Sequence, residues 1–298
     1  MTGIGQLVAS PLRAKRHGEH SPTSIAFLIA LWAAMAFAVL CLLVLLVDAF
    51  IDGSARLDAE LFTRYTSQVL PERAGARAAI LGSAFVIAVT ALLGVPLGIA
   101  AGVYLEEFAD NRRWYNKLIE VNISNLAAVP AIIYGMLTAG FALAIGLERR
   151  VVLAGGIALA LLILPVVIIA TREAIRAVPR EIRHGSLALG ATPLQTVWRQ
   201  TLPGAVPGIA TGSILALSRA LGEAAPLLLL GGLVFVNYDP NGLMSGFTTL
   251  PIQIFNWASQ SQKGFQEVAS AAIILMLVLL LLMNALAIVI RNRYQNRW

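Results

Sequence analysis

The chain has 298 residues, 58% of them apolar and only 13% charged, with a formal net charge of +6. Soluble domains are roughly 45–50% apolar and about 25% charged, so this composition excludes an ordinary soluble protein. Apolar runs long enough to cross a hydrocarbon core of roughly 30 Å recur, and the positive balance therefore bears on topology and anionic lipid, with no need for nucleic acid.

Residues 1–24, with Arg13, Lys15 and Arg16, read as a polar cytoplasmic tail. Ile25–Val47 is too long for the apolar core of a signal peptide and reads as a retained first span, followed by an outer segment to residue 76. Ala79–Leu105 is a second span; its Gly94, Pro96, Gly98 and Gly102 place it inside a bundle, where neighbouring helices cover the freed backbone. Glu106-Glu107 and Arg112-Arg113 read as a solvated inner loop. Asn122–Leu147 is a third span with a kink at Pro130, Glu148-Arg149-Arg150 a short outer turn, and Val151–Thr171 the fourth span.

The connector from Arg172 to Gly208 carries dense helix punctuation. Arg180–Leu189 has helical character broken only by Gly185, and Gly190 stands where a helix-ending glycine takes the left-handed conformation. Thr192-Pro193-Leu194-Gln195 restarts a helix, with Thr192 as N-cap, Pro193 at the first helical position and Gln195 closing a capping box. Pro203 and Pro207-Gly208 should end that piece. The expectation is a rigid hook of two short helices around a sharp corner; the plainer alternative is a basic loop lying on anionic lipid.

Ile209–Val236 is the fifth span and the one with charges near its middle, in Ser218-Arg219-Ala220-Leu221-Gly222-Glu223. Arg219 and Glu223 are four residues apart, about one helical turn on a common face. An arginine at mid-bilayer costs at least about 2.5–3.5 kcal/mol, so it should face the bundle interior, either as a structural ion pair or as a donor to a passing oxyanion. Asn237–Glu267 is an outer segment whose apolar piece Leu250–Ala258 should fold back against the bundle or meet a partner. Val268–Ile290 is the sixth span, and 291–298 is a basic tail. Tyr238, Trp257 and Trp298 fall at expected interfaces, where aromatic anchors are common. The inner segments carry about twice the Lys and Arg of the outer ones, which places both termini and the hook in the cytoplasm.

Gly190 followed twelve residues on by Leu202-Pro203, before the penultimate span, resembles the EAA loop of type I ABC-importer permeases. Where that family has Glu-Ala-Ala, this chain has His184-Gly185-Ser186; Gln200 replaces the usual isoleucine, and Glu181 lies one turn earlier as a substitute acid. ALSRALGEAAPLLLLGG, LPIQIF and ILPVVIIATREAIRAVP together resemble the PstA family of phosphate ABC-importer permeases, over residues 77–290. The resemblance implies an all-α integral membrane fold of six transmembrane helices, with residues 77–290 as the type I permease domain. It implies a bacterial plasma-membrane location and a cytoplasmic loop that couples to an ATPase through Glu181, His184, Gly185, Ser186, Leu189, Gly190, Ala191 and Thr192. It also implies a phosphate pathway through Arg219, Glu223 and Arg172. The implied partners are a PstC-like second permease, two PstB-like ATPase subunits carrying ATP and Mg, and a PstS-like phosphate-binding protein; this chain itself would bind no cofactor.

No P-loop sequence occurs, nor Gly-x-Ser-x-Gly, nor His-Glu-x-x-His. The single Cys41 excludes an intrachain disulfide, and the three histidines are too scattered for a metal site. The chain therefore reads as a non-catalytic permease subunit. Two rivals stand beside it: a stand-alone proton-coupled anion carrier built on Arg219 and Glu223, and a structural membrane scaffold.

Overall fold

The computed structural model describes residues 22–110, 112–232 and 235–294; expectations placed on residues 1–21 and 295–298, Trp298 among them, lie outside these. The chain divides into two units, residues 1–48 and 49–298. Helix α1 (Pro22–Gly53) lies mostly in the first. It carries no charge as far as Val47 and runs on into the start of the second unit.

In the second unit, the segment after α1 is built rather than slack. Asp58 caps helix α2 (Ala59–Thr63), its Oδ1 accepting the Leu61 N–H at 2.9 Å, and Leu61 is fully buried in a cluster with Leu250, Trp257 and Phe265. Trp257 is thus a core residue, not the interfacial anchor expected.

The framework is a parallel pair, α3 (Arg77–Val103) and α6 (Val152–Arg176). Gly94, Gly98 and Gly102 of α3 lie against Ile163, Val167 and Thr171 of α6; a Cβ on Gly98 would come within 2.7 Å of Val167 Cγ1. Small residues let the backbones approach, the usual basis of helix association where lipid offers no hydrophobic drive. The fully buried Thr90 adds a polar tie, donating to Val86 O at 2.8 Å and Gly156 O at 3.3 Å.

The third span is broken, not kinked. Helices α4 (Trp114–Ala127) and α5 (Ala131–Ala144) meet at 108°. Pro130 has no N–H to give and disfavours helical geometry at Val129, so the chain leaves the helix there. Tyr134 pins the corner, its hydroxyl donating to Leu126 O at 2.7 Å.

After the hook, formed by α7 (Arg180–Ala188) and α8 (Pro193–Thr196), the helix does not stop at the prolines. A wide π turn over Val197–Thr201 leads into α9 (Leu202–Leu221), and the helical stretch is continuous from Pro193 to Leu221. The π turn loosens the hydrogen-bond register just before Pro203, so the missing N–H falls at the first turn of α9, where it costs little. Helix α9 packs antiparallel on α6, with Gly208 and Gly212 against Ala174 and Ala170.

The fifth span also ends early. After Gly222–Ala224 a short α10 (Ala225–Leu230) follows, terminated by Gly231 at φ 84° and seated on α5 at Gly135. Helix α11 (Leu250–Ala258) has the expected bounds and folds back on the bundle, its Leu250 N–H bonded to Ser83 Oγ of α3 at 2.9 Å. Helix α12 (Lys263–Tyr294) closes the chain. Among the described residues, five helical stretches are long and apolar enough to cross a membrane, and the count reaches six if the bent α4–α5 pair crosses as one span. No strand occurs among them, only an isolated bridge between Val151 and Gly246.

Candidate functional site

Two groups of predicted residues are separated along α9. The first is the hook. Helix α7 ends in a Schellman motif: Gly190, at φ 84°, donates its N–H to Leu187 O at 3.0 Å, and Ala191 N–H reaches Ser186 O at 3.2 Å. The restart is the predicted capping box, with Gln195 N–H on Thr192 Oγ1 at 3.3 Å and Thr192 N–H on Gln195 Oε1 at 2.9 Å. Ser186 Oγ and Thr196 Oγ1, 2.9 Å apart, lock α7 to α8. Of the eight predicted docking residues, Glu181, Gly185, Ser186, Leu189 and Ala191 line one groove of about 400 Å³, together with Gln195, Arg199 and Gln200. His184, Gly190 and Thr192 lie outside that groove. Leu189 is 91% exposed at the corner, an apolar side chain held out on a rigid turn.

Below the hook lies an ion-pair cluster that sequence reasoning missed. Arg172 is buried, its side chain 10% exposed, with Nε 3.1 Å from Glu106 Oε2 and Nη2 2.7 Å from Glu120 Oε1. Arg176 Nε reaches the other oxygen of Glu106 at 2.8 Å. Arg183 of α7 pairs with Glu107 at 2.7 Å. Glu106 and Glu107, expected in a solvated loop, instead sit on a π turn (Tyr104–Phe108) that continues α3. Arg112 and Arg113 are exposed, as expected. The signal that could have found the cluster was depth: Glu106 directly follows the second predicted span and Arg172 the fourth, both on the side predicted to be inner.

The second group is the charge pair of the fifth span. Arg219 lies in the last turn of α9, where a cation is favoured by the helix dipole. Glu223 does not share its helix, because the helix ends at Leu221 and Glu223 stands in the break. The pair still meets, Arg219 Nε being 3.9 Å from Glu223 Oε1. Arg219 does not point into this chain's own interior: its side chain is 56% exposed, against 25% for Glu223. The break has a cause in Gly222 and Pro226, since Pro226 offers no N–H to the Gly222 carbonyl. Unwound backbone at membrane depth is tolerated where protein covers it or where it lines a watery cavity. Among the described residues no cluster of His, Cys, Asp or Glu is suited to a metal ion.

A family model described as the binding-protein-dependent transport system inner membrane component matches residues 94–296. The phosphate transport system permease protein PstA of Yersinia pestis is 32% identical over 278 residues, covering 93% of this chain and 92% of that protein. PstA 1 of Mycobacterium tuberculosis H37Rv is 33% identical over 225 residues, covering 74% and 72%. Among solved structures, a bacterial alginate ABC transporter aligns with a TM-score of 0.63 at 18% identity, over 91% of this chain and 95% of that one. An inward-facing MetNI methionine ABC transporter aligns with a TM-score of 0.59 at 19% identity, over 74% and 97%. These structural likenesses speak to the fold alone. The chain belongs to the binding-protein-dependent transport inner membrane component family.

Proposed function

We propose that this family member is the membrane-spanning translocation subunit of an ATP-driven importer of inorganic phosphate. One observation carries the reading: the chain aligns along 93% of its length with a phosphate transport system permease. The site geometry supports it. A hook locked by a Schellman turn, a capping box and a hydroxyl bridge suits a part that is pushed by another protein. An arginine at the end of a broken span, more than half exposed, suits a cavity that a second permease subunit closes from the other side.

The partners on this reading are a PstC-like permease, two PstB-like ATPases that hold the ATP and Mg, and a PstS-like phosphate-binding protein. Residues 77–290 form the permease domain, and the termini and hook face the cytoplasm of a bacterial plasma membrane. The hook docks on an ATPase through Glu181, His184, Gly185, Ser186, Leu189, Gly190, Ala191 and Thr192. Arg219 donates its guanidinium fork to the phosphate oxygens, a geometry suited to bidentate recognition. The long contact to Glu223 leaves that fork available, and the carboxylate keeps the site from holding the anion too tightly, since a conducting site must also release. Arg172 stands further along, closed by Glu106 and Glu120; phosphate meets it only when the more exposed Glu120 withdraws. Arg219→Gln in the reconstituted complex should abolish ATP-driven phosphate uptake while all subunits still co-purify. Normal uptake by that assembled variant would remove Arg219 from the pathway.

A further inference from the structure

We propose that Glu107 is a positioning residue through which the hook moves helix α3, the Glu107–Arg183 ion pair tying α7 to α3 beside the continuous helix that carries α8 into α9. This rests on the reading of the chain as an ATP-driven permease and names the side chains that pass the motion on.

The link is built from both sides. Glu106 and Glu107 are adjacent on the π turn, yet they serve different elements: Glu106 takes Arg172 and Arg176 at the end of α6, and Glu107 takes Arg183 in α7. Glu107 is 9% exposed, and Arg183 Nη2, while 2.7 Å from it, also donates to Ile175 O at 3.0 Å in the last turn of α6. Arg183 thus joins α7, α6 and α3 at one point. Among the described residues none of Arg180, Glu181 or His184 makes an ion pair, so this is the one charged tie from α7 into the bundle. The apolar contact beside it is slight: Ile182 alone of α7 packs against the cluster of Ile175, Val178, Ala205 and Ile209. Apolar side chains slide past one another, whereas the buried Glu107 carboxylate cannot part from the partly exposed Arg183 guanidinium without being left uncompensated. Beyond Glu107 the motion has somewhere to go, because Gly98 and Gly102 fasten α3 to α6 along their length. A displacement of α7 therefore carries the α3–α6 pair with it.

The test uses the full complex in proteoliposomes, with its binding protein outside and ATP on the hook side, and reads phosphate taken up per ATP hydrolysed. The wild-type ratio is measured first; if ATP drives no uptake there, it is the importer reading that fails, before any variant is scored. Glu107→Gln and Arg183→Gln should each leave subunit stoichiometry and ATP hydrolysis in place while the ratio falls tenfold or more. The exchanged pair, Glu107→Arg with Arg183→Glu, should bring it back to within about threefold. Single variants with an unchanged ratio would overturn the proposal. If the single variants fail to assemble, the exchanged pair decides alone: an assembled complex with a restored ratio supports the link, and a collapsed ratio or failed assembly refutes it.

Discussion

Two glycines five residues apart in the hook should respond to alanine in opposite senses. Gly185 and Gly190 both have nothing within 4 Å of where a Cβ would lie, so neither substitution meets a steric obstacle. Only the backbone differs. Gly185 is inside α7, where alanine is favoured over glycine by about 1 kcal/mol. Gly190 sits at φ 84°, where an L side chain meets its own backbone at a cost of about 1–2 kcal/mol. A kcal/mol or two is a factor of about 5–30 in a local opening equilibrium. Amide hydrogen exchange reads that equilibrium at Leu189, Gly190 and Ala191, whose N–H groups bond to Gly185, Leu187 and Ser186. Gly185→Ala should slow exchange there about fivefold, and Gly190→Ala should speed it about 5- to 30-fold. Gly190→Asn, a residue that tolerates the left-handed region, should fall closer to wild type. If both alanine variants shift exchange the same way, or if Gly190→Ala leaves it unchanged, the corner is not held by its backbone conformation.

Other contacts give further tests. Gly98→Ala forces α3 and α6 apart at Val167 and should destabilise by about 1–3 kcal/mol, read as a lower Tm in detergent; Gly98→Ala with Val167→Ala should recover most of it. Thr192→Ala removes the cap on α8 and should cost about 0.5–2 kcal/mol, seen as faster exchange of the Gln195 amide, with Thr192→Ser near wild type. On the other side of the bundle, Arg77 holds the Asp239 carboxyl below the usual carboxylate range through two hydrogen bonds, of 3.0 and 2.6 Å. A lowered folded-state pKa means that this contact contributes stability above the ordinary carboxylate value and loses it as pH falls through the depressed one. Acid should therefore lower the Tm of wild type more than that of Asp239→Asn, which lacks the contact at every pH.

The features legible in the sequence are those set by local chemistry. A glycine at the helix end, a Thr-Pro-x-Gln restart and the Leu250–Ala258 helix each carry their signal within a few residues, and each stands where expected. What escaped depends on register or on distant partners. Proline is a stop signal in isolation, but a π turn placed before Pro203 carries the helix through, and nothing in Val197–Thr201 advertises that wider turn. Gly222 and Pro226, four apart, could have announced the break that separates Arg219 from Glu223; the apolar run around them masked it. Counting Glu106 and Glu107 as loop charges ignored that a helix end at the same depth carries Arg172 and Arg176. A charge reads as solvated until its partner, 66 residues away in the chain, is brought beside it.

The most direct measurement of the central claim is phosphate accumulation in proteoliposomes, comparing the chain alone with the chain joined by its second permease, the ATPases and the binding protein. Uphill uptake should appear only in the full complex and only with ATP. Accumulation by the isolated chain under a proton gradient would contradict the account.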